Sequence, residues 1–564
     1  MLSSLLRFVR EKSWLAGLFC LIPVLIYLWV FKVIALNVNY VAFDDILILG
    51  IIPEFSKADL AGKWKLLTTL FPEHRLVFSR SVILLLENTF GTVNLVWPMI
   101  IANICWALCA WVFYRAFRHL RVSFWYFVPV MWLWFNIQSF ENIFWGVSSL
   151  CNFGVILFVL CALYCAVYKP ERIALSLFFA AAATFTYGNG LMVFPVIGLL
   201  LLLSGYRRPF FVTLATTILI AAIYFIDFTP ITQNLDFRNP QQVKEGFLGF
   251  FGFIGSWATL TAYGTPSRGL YMAVATGMVM IASLLILYRK QYIPLWNSTL
   301  LKGRYVNRTA LFALGIAVFT AITALALTYK RIPTDTFEGM FKGRYRMYSI
   351  LWCIALYLGF LAIVPHSARR KFAPEMLLAA IIMNFLLLHS NFADAVNNRR
   401  AAIAQEFNAR YNADWLGIRM FSMDQQHYEK IRYYYRSEDP LAENWQPRAD
   451  SVQCDRVYPP DEVGLLGDHI VVGFHQDFFK PEKDYSDGAY VILKSTDHVY
   501  ASPPNQASVP LKTTFRRGMY FNKGINASFH RANVEPGIYQ IYLLVRKNGR
   551  NTIYCTGETW NEKE

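Results

Sequence analysis

Two adjacent carboxylates, Asp44 and Asp45, follow the first apolar run of this chain, and Glu73-His74-Arg75 and Arg80 lie beyond them in the same interval. A carboxylate pair can supply a general base that takes the proton of a sugar hydroxyl. Arginine offers phosphate oxygens a planar, bidentate partner, and a histidine at membrane level adds another contact. Three later stretches carry similar chemistry. They are Glu141-Asn142 within NIQSFENIFW, the tight Gly188-Asn189-Gly190 turn, and the basic run YKRIPTDTFEGMFKGRYRMY with Arg344, Tyr345 and Arg346. Together they suit group transfer from a lipid-linked phosphate whose tail stays in the bilayer. Each has a plainer reading. The Asp pair can cap a helix, residues 73–75 can be a solvated charge cluster, and Glu141 and Asn142 can end a span. Arg344 and Arg346 can anchor a helix to headgroups.

The elements that must position these residues are membrane helices. Hydrophobic residues make up 56% of the 564 and charged ones 16%, against about 45–50% and roughly a quarter in a soluble chain. That excludes a disordered, collagen-like or disulfide-stapled chain and argues against a purely soluble enzyme. Aromatics at 16%, including 16 Trp, fit side chains parked at membrane–water interfaces. The net charge of +16 would suit nucleic acid, but it sits in the wrong place. Residues 1–390 hold 32 Lys+Arg against 15 acids, whereas residues 391–564 hold 21 against 22. The positive charge belongs to the apolar part, so no nucleic-acid partner is expected.

Eleven apolar runs have the character of spans, near 14–35, 95–114, 122–136, 146–168, 173–187, 190–204, 210–228, 270–288, 309–328, 346–364 and 374–391. The Gly-rich stretch 246–263 reads as interfacial or re-entrant. With a cytoplasmic N-terminus, the inner segments collect 18 Lys+Arg against 3 acids, as the positive-inside rule requires. The C-terminal part then lies outside. The first run has Lys32 near its outer end and no small-x-small site, so it reads as an anchor rather than a cleaved signal. The large loop 36–94 is too apolar for disorder, and Leu76, Phe78, Val82, Leu85 and Leu86 give it helical spacing that sets Arg75 and Arg80 near one water-facing edge.

The expected fold is a mainly α, polytopic membrane protein with about 11 transmembrane helices and a C-terminal extracytoplasmic β-rich, sandwich-like domain. Its divisions are 1–390, a helical linker region 391–450, and 451–564. In the last, HIVVGF, AYVILKS, VPLKTTF, INASFHR and the run through Lys547-Asn548-Gly549-Arg550 read as strands, with Asn-Gly a hairpin signal. Cys454 and Cys555 are the two cysteines of the external part, able to form a disulfide or stay free. The other seven lie in or beside spans and read as packing residues. No metal-type Cys/His cluster is present. The sequons at Asn297, Asn307 and Asn526 carry little weight.

In their order along residues 10–390, these segments resemble bacterial multi-span GT-C-type glycosyltransferases that use polyprenyl-phosphate-linked sugars. Asp44-Asp45 looks like that family's acidic position, and Phe71-Pro72-Glu73-His74-Arg75 with Arg80 like its "EHR…R" stretch. Glu141 to Gly146 resembles the segment entering the fourth span, Gly188-Asn189-Gly190 with Pro195 the Gly-rich turn, and Gly343-Arg344-Tyr345 an Arg-Tyr pair near the donor phosphate. The resemblance implies a bacterial inner-membrane enzyme, a polyprenyl-phosphate sugar donor, a glycan, lipid or protein acceptor, and Asp44 or Asp45 as base. Both carboxylates could also coordinate Mg²⁺ or Mn²⁺ with the donor phosphate, although nothing in the chain requires it. The C-terminal domain is outside the resemblance. Two other functions fit the same residues: a polysaccharide polymerase or lipid-linked glycan transporter, and a non-catalytic envelope assembly or binding protein.

Overall fold

A computed structural model of the chain describes residues 13–35, 45–71, 73–230, 233–260, 268–291, 307–412, 431–435, 439–449, 452–454, 456–475, 485 and 487–563. Asp44, Pro72 and the Asn297 sequon lie outside the described residues.

Eight described helices have the length and apolar composition that crossing a bilayer takes, the signature of a membrane protein. They are α1 (Ser13–Ala35), α2 (Val96–Arg118), α3 (Gly146–Tyr168), α4 (Arg207–Tyr224), α5 (Arg268–Tyr288), α6 (Arg308–Asp335), α7 (Arg346–Ile363) and α8 (His366–Asn412). The other three expected spans form shorter helices. Phe124–Trp134 and Gly188–Leu203 are apolar but short. Ile173–Thr184 has 12 residues, or about 18 Å of rise against a core of roughly 30 Å. Helix α3 is buried along nearly its whole length and forms the axis of the bundle, while α4 lies on its rim.

The Gly-rich stretch is largely part of a helix, Pro240–Gly255, that packs against α5. It starts cleanly because the Asn239 side chain accepts from the N–H groups of Gln241 and Gln242 and Pro240 needs no partner of its own. Its glycines let it press against α5. A Cβ on Gly255 would sit 2.0 Å from the Ala273 carbonyl oxygen, and one on Gly277 would sit 1.9 Å from that of Phe251.

The large loop after α1 is a set of short helices, Asp45–Leu49, Ile51–Phe55, Leu60–Thr68 and Val77–Phe90, plus a small hairpin of β1 (Leu70–Phe71) and β2 (His74–Arg75). Arg75 and Arg80 do not occupy a water-facing edge. Both are buried, and their guanidinium groups donate to main-chain carbonyls: Arg75 to Tyr224 at 2.8 Å and to Thr68 and Ile226, Arg80 to Leu67 at 3.0 Å and to Thr69. The helical spacing was right, but the arginines staple the loop to itself and to the end of α4.

The expected boundary at 390/391 falls inside α8, which is 47 residues long. Its far half packs on a β-sandwich. One sheet has the order β3 (Arg456–Val457), β11 (Arg550–Glu562), β10 (Gly537–Lys547), β6 (Gly488–Lys494), β7 (Val499–Ser502). The other has β4 (Glu462–Leu466), β5 (His469–Phe474), β9 (Ile525–His530), β8 (Pro504–Asn505). Inner residues such as Val472, Phe474, Val491, Leu493, Ala527 and Leu543 fill the space between the sheets. On the other face of β6 and β10, Tyr490, Ile492 and Leu544 meet Ile403 and Phe407 of α8. With both faces covered, β6 is buried at every residue, which is why its sequence is almost unbroken apolar. The edge strand β7 is covered by side-chain amides. Asn408 accepts from the Ala501 N–H at 2.7 Å and donates to its carbonyl at 3.0 Å, and Asn412 does the same for Val499 at 3.0 and 2.7 Å.

The Asn-Gly hairpin forms as expected, with Lys547 opposite Arg550 and positive φ at Asn548 and Gly549. The Asp487 carboxylate accepts from both of their N–H groups. Cys454 and Cys555 are bonded, closing a loop of 101 residues. VPLKTTF is not a strand. After Pro510 the chain turns into a short helix, Leu511–Arg517, ended by Gly518 in the left-handed region, where positive φ suits a residue without Cβ.

Two further groups join the sandwich to α8. Arg400, fully buried, donates to the Asp487 carbonyl and to Gln506 Oε1, both at 3.1 Å. The Tyr520 hydroxyl accepts from the Ala393 N–H at 3.0 Å and donates to the His389 carbonyl at 2.6 Å. Those are the two groups that an α-helix pairs with each other.

Candidate functional site

The site lies where the Ile173–Thr184 helix, too short to cross, turns back. Its Tyr187-Gly188-Asn189 segment sits below the loop hairpin and beside the sheet-domain end of α6 and the start of α7. Gly190 lets the turn close: a Cβ there would lie 2.2 Å from the Ala183 main chain. The Asn189 side chain donates to the Tyr348 hydroxyl at 2.6 Å. His74, at the tip of the hairpin, lies against Tyr187 with ring centres 4.1 Å apart. A Cβ on Gly188 would be 2.7 Å from His74 Nδ1 and 2.6 Å from the Tyr224 hydroxyl.

Arg344 approaches from the other wall, on a 3₁₀ turn, Gly343–Tyr345, that leads into α7. Glu141 fixes it. One carboxylate oxygen accepts from the Gly343 N–H at 3.1 Å, and the other accepts from the Arg344 N–H at 3.3 Å and pairs with its guanidinium at 3.5 Å. Asn142 holds the Arg344 carbonyl at 2.8 Å and itself accepts from Asn152 at 2.8 Å. The guanidinium lies over the Trp145 ring (5.9 Å) and the Tyr345 ring (5.4 Å), and it remains 27% exposed. So Glu141 and Asn142 position Arg344 rather than facing a ligand alone.

Asp45 belongs to the same wall. It is fully buried and its Oδ1 accepts from the Val147 N–H at 2.8 Å, at the start of α3. A carboxylate there meets both unpaired amides and the positive end of the helix dipole. Of the acidic pair, Asp45 is therefore the helix cap that the sequence allowed for.

The remaining expected residues separate by role. Glu73 pairs with Lys330 at 3.9 Å. His74 carries no positive charge near neutral pH: burial, and then the Arg331 charge, push it down to about 4 against the opposing pull of Glu73. Arg75 and Arg80 are the staples described above, and burial holds Arg80 below its ordinary value. Tyr345 lies under Arg344. Arg346 is buried and engaged elsewhere, donating to the Phe341 carbonyl and to Asn391 Oδ1, both at 3.1 Å.

Sequence reasoning passed over Lys330, Arg331, Tyr187 and Tyr348. Arg331 is half-buried within electrostatic reach of Tyr187, Tyr345, Arg344 and His74. The signal was present: two adjacent cations follow directly on an apolar run, four and five positions before the next acid, Asp335, a poor place for charge unless something anionic is met.

The cluster thus brings together three cationic groups, Arg344, Arg331 and Lys330. It also holds two buried acceptor atoms, His74 Nδ1 and Asn189 Oδ1, with no hydrogen-bond partner among the described residues. Buried polar atoms are rarely left so. Cations suit a phosphate, and the acceptors suit hydroxyl groups. Among the described residues no set of three or more His, Cys, Asp or Glu side chains is grouped to hold a metal ion. No family model, curated protein or solved structure matches the chain.

Proposed function

We propose that this chain is a membrane glycosyltransferase of the GT-C kind. It would move a sugar from a polyprenyl-phosphate donor to a glycan, lipid or protein acceptor, on the membrane side that carries the sandwich. By loop charge that is the extracytoplasmic side of a bacterial inner membrane. The observation that carries this reading is the side-chain cluster, in which Arg344, Arg331 and Lys330 gather around the same turn as the unpartnered His74 Nδ1 and Asn189 Oδ1.

In this reading the acceptor hydroxyl attacks the anomeric carbon, and the bond from that carbon to the phosphate oxygen breaks. The electron pair stays on the departing polyprenyl phosphate. The hydroxyl proton goes to the Asp44 carboxylate, since Asp45 is engaged at the start of α3. Arg344, with Arg331 and Lys330 behind it, balances the charge that grows on the leaving phosphate, a fixed arrangement that needs little reorganisation. Asn189 and neutral His74 accept from sugar hydroxyls. A single displacement of this kind inverts the anomeric centre.

The test is purified protein in lipid with a panel of radiolabelled polyprenyl-phosphate sugars, wild type beside Asp44→Ala and Arg344→Ala. Release of free polyprenyl phosphate by wild type, lost in both variants, supports the transferase and names its donor. No turnover by folded protein with any donor and added acceptor extracts moves the cluster to transport or binding.

A further inference from the structure

A cavity of about 560 Å³, which shares no lining residue with the Arg344 cluster, lies between membrane helices α1 and α8 and the short helix Leu511–Arg517 of the sandwich. Its membrane wall is Trp29, Phe385, Leu388 and Phe392; its other wall includes Leu511, Phe515 and Arg517. Trp29 lies six residues inside the end of α1, or about 9 Å along the helix, so the cavity reaches the depth of acyl chains.

The short helix has two faces. Leu511 and Phe515 share one, and Lys512 and Arg516 the next. It has no buried residue, and Phe515 is 83% exposed. Leaving a phenylalanine in water forgoes burial that proteins seldom waste. Basic charge beside exposed apolar side chains on one short helix is the pattern of an interfacial element. The charge is of one sign: Lys512, Arg516, Arg517 and Lys523 fall in a stretch with no Asp or Glu between Asp497 and Glu535. The helix is also held in place, because His389 Nε2 and Thr514 Oγ1 are 3.0 Å apart and Tyr520 binds α8.

We infer that this cavity seats one anionic phospholipid, an acyl chain against Trp29, Phe385 and Phe515 and the phosphate at the rim on Arg517, with Lys512 and Arg516 beside it on the same short helix. The apolar walls alone would suit any lipid; the cations of the short helix select an anionic headgroup. The lipid would fill the gap between the membrane helices and the sandwich, so that the bilayer itself helps to set the sandwich in place. The inference is independent of the transferase reading.

The full chain in a zwitterionic detergent would be titrated with phosphatidylglycerol or phosphatidylcholine, and retained lipid counted by native mass spectrometry. Wild type is expected to keep one more phosphatidylglycerol than the Arg516→Gln/Arg517→Gln variant, and to keep no phosphatidylcholine at that position. Phe515→Ser is a second, chemically different variant with the same expectation. Each surface cation contributes enough that losing two weakens retention about thirty-fold. All three changes are at exposed side chains, so the thermal midpoint without lipid should match wild type. Equal phosphatidylglycerol counts in all three proteins would overturn the inference. So would equal retention of the two lipids, displacement by excess inorganic phosphate, or a doubled mass in wild type without bound lipid, which would give the face to a second copy.

Discussion

A single oxygen of Glu141, Oε2, binds Arg344 twice, accepting from its main-chain N–H at 3.3 Å and pairing with its guanidinium at 3.5 Å. Backbone and charge of the same residue are thereby set by one atom from a distant segment. Glu141→Gln keeps an acceptor for one of the two N–H groups but loses the ion pair, whereas Glu141→Ala loses every one of these bonds. Release of polyprenyl phosphate is expected to fall about tenfold in the first and about a hundredfold in the second, the scale for a misplaced catalytic group. Arg344→Lys should fall with them, because a lysine cannot reproduce the planar fork. Equal activity in wild type and Glu141→Ala would remove Glu141 from the site.

His74 makes the protein acid-sensitive. The unfolded chain takes up a proton near pH 6.5, but the folded ring does so only near 4. Between those values the unfolded state binds more protons, so stability falls as the pH drops. The contribution is fully present above about 6.5 and lost as pH falls through 4. Thermal midpoints measured down this range should decline less steeply in His74→Gln than in wild type.

The turn at 188–190 ranks its glycines. A Cβ on Gly188 meets the ends of two side chains, His74 and Tyr224, which can move; one on Gly190 meets the Ala183 main chain at 2.2 Å, which cannot. Gly188→Ala should cost about 1–3 kcal/mol, as overpacking does, and displace His74. Gly190→Ala should be the more damaging. Thermal unfolding of the two variants in one lipid composition gives the order.

Asn408→Ala would leave the N–H and carbonyl of Ala501 unpaired on an edge strand. An abandoned buried group costs about 1–3 kcal/mol, and an open edge invites pairing with another chain. A lower midpoint and a shift to larger species in size-exclusion chromatography are expected, with Asn412→Ala behaving alike.

The helices were legible because apolar periodicity is a local property, and every one of the eleven runs became a helix. Length separated the eight long ones from the rest, and that depends on where turns such as Gly188-Asn189-Gly190 fall. The Asn-Gly hairpin was legible for the same local reason. Destinations of charge were not. Arg75, Arg80 and Arg346 looked like ligands for phosphate, yet each is spent on main-chain carbonyls or an amide. Nothing in their neighbours along the chain distinguishes them from Arg344. Lys330 and Arg331 were overlooked because they follow an apolar run, and the value of Arg331 comes from Tyr187 and His74, which the fold brings from elsewhere. VPLKTTF has a strand-like composition, but Pro510 and Gly518 bracket it as a helix.

The hydroxyl of Tyr520 occupies a position in α8 that the helix can refill by itself. It accepts from Ala393 and donates to His389, and if it withdrew, those two groups would be free to bond each other in the ordinary i to i−4 manner. Parting would then cost the helix no hydrogen bond, and only the tyrosine would have to find water. The join between membrane helices and sandwich at this point therefore takes nothing from the helix that carries it, whose own hydrogen bonding does not depend on the tyrosine.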